Sequence, residues 1–266
     1  MQPHLDRQAR REKHPVYDFL FEYFTFKPTR LMRWSPGAGI VLEEGDDFLA
    51  FEGYTRHDRG VWLDPDRFPD RRVSSLSWVI DLLERIEERP PRFGCYGLHE
   101  WAMVYREDPN AIRHDYAPLR FAPDELASIV EAHQIVCTHF DAYRFFTPAA
   151  RPLNSLNPEA DTRHTFEQKG CVHVNMDLYK WAYKFYPWIG SDVIREAFQV
   201  AVMAREIDMQ ASPYDLRHLG FEPIMIETEA GKQIYQRKQQ EIVERADPVR
   251  EKLLNACRDL MRRVTV

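Results

Sequence analysis

The sequence predicts one compact, mainly α-helical domain over residues 14–266, with a small irregular or β insertion near residues 34–68 and a basic, flexible leader over 1–13. Three observations predict this. Apolar residues recur at helical spacing in the first and last thirds of the chain. Prolines and glycines with short apolar runs between them gather in one segment, "RWSPGAGIVLEEGDDFLAFEGYTRHDRGVWLDP". No repeat or low-complexity linker divides the 266 residues, which are ample for one core. The 44% hydrophobic and 13% aromatic content excludes a disordered chain.

Each element follows in order. "HPVYDFLFEYFTF" places Val16, Phe19, Leu20 and Tyr23 at helical spacing, which predicts a helix over 16–24. The Pro- and Gly-rich segment predicts loop with one small hairpin. In "SSLSWVIDLLERIEER" Ser74 or Ser75 caps a helix, Leu76, Val79, Ile80 and Leu83 form its stripe, and Pro90 stops it. "APDELASIVEAH" is a short helix with Asp124 and Glu125 in the first turn, where the helix dipole favours them. "QIVCTHFDAYRFF" fits a strand and a buried helix equally, and "RPLNSLNPEADTRH" reads as loop. In "NMDLYKWAYKFYPW" Asn175 is expected as a cap and Asp177 as a first-turn acid, with Leu178, Trp181, Ala182 and Phe185 on the core face. "DVIREAFQVAVMAREIDMQ" is a helix ended by "ASPYDL", and Asp247-Pro248 is expected to separate two further helices.

The formal net charge of −6 argues against a protein that grips duplex DNA, because phosphate contacts need a basic surface. No apolar run is long enough to span a bilayer, and the polar leader is no secretory signal, so a cytoplasmic location without membrane contact is expected. Cys95, Cys137, Cys171 and Cys257 form no close pairs, which removes the zinc-ribbon and disulfide readings and leaves them as expected core residues.

Chemistry concentrates in the central third. Six of the ten histidines lie between residues 93 and 190, and one pattern recurs there: Cys95 precedes His99, Cys137 precedes His139, and Cys171 precedes His173. An acid follows each histidine: Glu100, Asp141 and Asp177. Aromatic residues surround all three, among them Trp101, Tyr105, Tyr143 and Trp181, with Arg144, Asn154 and Asn175 as further polar candidates. If the segments meet in space, they line a pocket for a small molecule or a nucleobase, with no cofactor required. A non-enzymatic ligand-binding protein uses the same pocket without chemistry. His139 and Asp141, two apart, would share one face of a strand. With His173 they would make the two-histidine, one-carboxylate set that binds iron or, as a second choice, zinc.

At "HPVYDFLFEYF", "GCYGLHEWAMVYR", "HFDAYRFFTPAARPLN", "CVHVNMDLYKWAYK" and "REIDMQASPYDL" the chain resembles a bacterial family, frequent in actinobacteria, whose members often carry the automatic name 3-methyladenine DNA glycosylase. The resemblance implies an N-glycosidic hydrolase that removes a modified purine. In that reading Glu100, Asp141 or Asp177 activates water or supports the developing cation, His99 and His139 transfer protons, and Trp101, Tyr143 and Trp181 shape the base slot. The helix-hairpin-helix turn of such enzymes has no counterpart here: "YPWIGSDVIREAF" offers Gly190 alone where two glycines are needed.

Overall fold

The computed structural model describes residues 1–108 and 117–265. His114, one of the six central histidines, lies outside the described residues. Eleven α-helices and one three-stranded sheet make up the described chain, which is the mainly helical architecture expected.

Four helices form the frame. Helix α4 (Val73–Glu88) buries Leu76, Val79, Leu82, Leu83 and Ile86. Helices α9 (Val172–Lys184) and α10 (Ser191–Gln210) lie along one another, and α11 (Glu229–Val264) packs on α4, α9 and α10. The sheet occupies the predicted insertion: β1 (Val41–Leu42), β2 (Tyr54–His57) and β3 (Gly60–Leu63) run antiparallel in the order β1-β3-β2. Val61 and Leu63 alternate inward from β3 and join the core, as a half-buried strand requires.

The remaining helices are short: α1 (Gln2–Arg10), α2 (Phe19–Glu22), α3 (Pro28–Leu31), α5 (Leu98–Ala102), α6 (Pro123–Glu131), α7 (Phe140–Tyr143) and α8 (Arg163–Phe166). Among the described residues, no helix is long and apolar enough to cross a membrane.

Several local expectations are corrected. The leader expected to be flexible is helix α1. Its His4 is buried, stacks on Phe21 with 3.9 Å between ring centroids, and lies 2.9 Å from Asp18. The helix expected over 16–24 narrows to α2, although Val16, Leu20 and Phe24 are all buried. Helix α4 starts at Val73, so neither Ser74 nor Ser75 caps it. Asp247-Pro248 starts no new helix, because α11 runs through it. Ile242, Ala246, Val249 and Leu253 continue one buried face, and that packing outweighs the hydrogen bond that proline removes. Helix α9 begins at Val172, one turn earlier than read, which moves Asn175 and Asp177 from cap positions into the buried helix body.

Candidate functional site

The three histidine segments converge. His99 is on α5, His139 caps α7, and His173 is in the first turn of α9. The His99 and His173 rings meet edge to face with centroids 4.4 Å apart, and His173 stacks on His139 at 5.2 Å. Local backbone sets the first of these. Gly97 enters α5 with φ +72°, and a Cβ there would stand 3.2 Å from Ala211, so the tight approach of α5 to the end of α10 requires glycine. Trp101 locks the contact by donating from Nε1 to the Ala211 carbonyl at 2.9 Å.

This row of rings divides two clusters of ligating groups. The first joins His99 and His173 to Asp208, in the last turn of α10, with one donor atom from each within 4.8 Å of the others. All three residues are almost fully enclosed. His99 Nε2 pairs with Asp208 Oδ1 at 2.9 Å, and neither atom has another hydrogen-bond partner among the described residues. The other carboxylate oxygen accepts from Arg205 at 3.2 Å, and Arg205 also donates to Glu100 at 3.0 Å. Arg205 therefore fixes the orientation of Asp208 and neutralises Glu100. Burial disfavours the charged form of His173 and, with His99 beside it, holds its pKa well below the ordinary value, so its imidazole is neutral. For His99 burial acts in the same sense, but Asp208 outweighs it and raises the pKa. Burial pushes the Asp208 carboxyl up, and the nearby His99, His173 and Arg205 more than reverse that.

A cavity of about 180 Å³ opens beside this cluster. His99 and His173 line it together with Cys95, Cys137, Cys171, Thr138 and Gln168, and the exposed Arg92 and Gly94 stand at its edge. Its thiols are protonated: burial pushes Cys137 up to about 12 and Cys171 well above its ordinary value. The cysteines read as core residues are thus both core and cavity wall.

The second cluster holds His139, Asp141 and Asp177. His139 Nδ1 accepts from the Ala142 amide, and its Nε2 lies 3.2 Å from Asp177 Oδ2. Lys180 donates to Asp141 at 2.8 Å and to Asp177 at 3.4 Å. Arg163 donates to Asp141 and, at 2.9 Å, to Glu167. Burial alone would raise both aspartates, but Lys180, with Arg163 and for Asp177 also His139, holds them below the usual carboxylate range. Glu167 goes the other way, raised by its complete burial. The cluster is an ion network in which only Glu167 Oε2 lacks a hydrogen-bond partner among the described residues.

The triad expected from His139, Asp141 and His173 is therefore not assembled among the described residues. His139 caps a helix instead of lying on a strand, and His173 turns to the other cluster. The polar candidates Asn154 and Asn175 are structural. Asn154 clamps the Cys137 backbone in both directions, and Asn175 accepts from Arg250 and donates to the Lys169 and Cys171 carbonyls. Arg144 pairs with Asp141 at 3.4 Å. The aromatic candidates scatter: Trp101 is core, Tyr105 donates to Glu131, Tyr143 donates to Asn157, and Trp181 packs on Trp78. None of the four lines the cavity.

Sequence reasoning missed Asp208, Arg205, Arg163 and Glu167. A signal for the first two was present. Ala197, Ala201, Ala204 and Asp208 follow one helical stripe, so an acid and its arginine sit on the buried face of α10. No protein family, curated protein or solved structure matches this chain.

Proposed function

We propose that His99, His173 and Asp208 bind a divalent transition metal, iron(II) or zinc, and that the protein is a metal-dependent enzyme acting on a small substrate held in the adjoining cavity. The observation that carries this reading is two imidazoles and one carboxylate whose donor atoms lie within 4.8 Å of one another beside a cavity, His99 Nε2 and Asp208 Oδ1 having no close partner there but each other. Two imidazoles and one carboxylate are a donor set that both metals accept, and three protein donors leave coordination positions for water or substrate. When bound, the ion would act as a Lewis acid. Arg205 holds the carboxylate in place, and the thiol-lined wall excludes bulk water.

The base-removing hydrolase implied by the resemblance asks for a free carboxylate and a slot of rings. Glu100 and Asp141 are each engaged by guanidinium, and the proposed rings lie elsewhere. The metal-centre reading accounts for more of the geometry.

The test is elemental analysis of protein purified without chelators and after incubation with iron(II) or zinc. About one ion per chain is expected in the wild type, and loss of that ion in Asp208→Asn and His173→Ala. A content far below one ion per chain in every preparation, including the reconstituted ones, overturns the reading.

A further inference from the structure

Away from the histidines, two adjoining concavities of about 530 and 220 Å³ form one groove between α3, the sheet and the start of α10, with Arg30, Arg33, Trp34 and Tyr186 shared between them. Its charge is unusual for this molecule. Arg30, Arg33, Arg71, Arg72 and Arg195 line it against two acids, Glu52 and Asp192, in a chain whose net charge is −6. Buried arginines elsewhere are paired with carboxylates, as Arg163 and Arg205 are. Among the described residues none of these five makes an ion pair.

Their surroundings are aromatic. The Arg33 guanidinium lies 3.8 Å from the centre of the Phe51 ring, and Arg72 is packed over Phe68, Phe185 and Trp188 at 5.6–5.8 Å. Burial, with Arg71 next to it, presses the Arg72 pKa down, and the nearby Glu52 only partly offsets this. Trp34 stands 55% exposed beside these cations. A solvent-facing indole ringed by unpaired guanidinium groups matches a flat ring carrying phosphate. Guanidinium forks bind phosphate oxygens bidentately, and an exposed indole gives a heterocycle a stacking platform.

We propose that this groove binds a nucleotide, with Arg30, Arg33, Arg71 and Arg72 on the phosphate and Trp34 against the base. The nucleotide is supplied either as a free nucleoside phosphate or as a unit of a single strand. The site shares no lining residue with the histidine cavity and does not depend on a metal there.

Isothermal titration of the full chain with ATP, with a short single-stranded oligodeoxynucleotide, and with inorganic phosphate tests it. Binding of ATP or of the oligonucleotide is expected at about 50 mM salt, weakening several-fold by about 200 mM as counterions compete. Arg33→Glu and Arg71→Glu should each weaken it at least about ten-fold, and Trp34→Ala by about ten-fold. All three positions are exposed, and circular dichroism of each variant checks its fold. ATP binding alone identifies a free nucleotide, and oligonucleotide binding alone identifies a strand; each supports the site. The proposal is overturned if neither binds, if the variants bind as well as wild type, or if inorganic phosphate competes as strongly as ATP. Binding of an acidic peptide in place of both overturns it too.

Discussion

Two groups of histidines and carboxylates sit side by side on α9, and they differ in one respect. Around Asp141 and Asp177, Lys180 and Arg163 bond to the carboxylates, and both nitrogens of His139 are engaged. Around Asp208, a single arginine serves two acids, and His99 Nε2 and Asp208 Oδ1 have only each other. Residue types are nearly the same in both. Two cations tie the first into an ion network, whereas the second holds its carboxylates through one nitrogen of Arg205 and through His99.

The largest expected effect comes from breaking the ion network. Arg163→Met leaves Asp141 with Lys180 and the half-exposed Arg144, and Glu167 with no bonded cation and only His139 at 3.8 Å. A loss of about 3–5 kcal/mol is expected, because removing one member of a buried ionic network leaves an uncompensated charge. Urea titration measures it, and metal content should not change. A folded variant that loses metal would show that the two clusters are one site.

Next in size, the Asp208 cluster separates from the ion network by metal affinity. Arg205→Lys keeps the charge but moves the donor away from the position of Nη1, which alone bonds both Asp208 and Glu100. Affinity for iron(II) or zinc should fall by about 10–100-fold, as is typical when the partner orienting a ligand is altered. His139→Gln should leave it unchanged. Equal losses from both changes, read by competition with a chromogenic chelator, would erase the distinction.

Much of this was legible in the sequence, and its gaps have physical causes. Helical periodicity located α4, α9 and α10, and the gathering of prolines and glycines located the sheet. The repeated order of cysteine then histidine marked the three segments that meet, because a cysteine near a histidine in an apolar run tends to share its burial. The missing part was charge pairing across long separations. Asp208 lies 109 positions beyond His99, and nothing local reveals that His99 chooses Asp208 over its neighbour Glu100. Pro248 misled for a related reason, since the buried face of α11 is set by α4 and α9.

Acid sensitivity sharpens the comparison further. The folded-state pKa values of Asp141 and Asp177 lie below the unfolded value of about 3.9. Their contribution to stability is thus fully present above that value and lost as pH falls through the folded values. Glu167 has the opposite sign: its folded pKa is raised, so its burial costs stability as pH rises past about 4.3. Two depressed groups against one raised group predict a net loss of stability below about pH 4. In Arg163→Met the aspartates lose a cation and Glu167 loses its restraint, so the urea midpoint should fall less steeply on acidification. A variant with the wild-type slope would mean that Lys180 alone sets the aspartates.

The smallest effect concerns the rings that the sequence grouped around the histidines. Tyr143 donates to Asn157 at 2.9 Å in an exposed setting, and it lines neither the histidine cavity nor the arginine groove. Tyr143→Phe should change stability by no more than about 0.5 kcal/mol and leave metal content untouched, as for most surface substitutions. Trp34→Ala should be equally quiet in stability and metal content, yet weaken nucleotide binding. Tyr143→Phe removes a surface hydroxyl and keeps its ring, whereas Trp34→Ala removes a ring that has arginines around it. If Tyr143→Phe instead lowered metal content or nucleotide affinity, the aromatic loop after α7 would have to close over one of the sites, and the separation of the two clusters drawn above would fail.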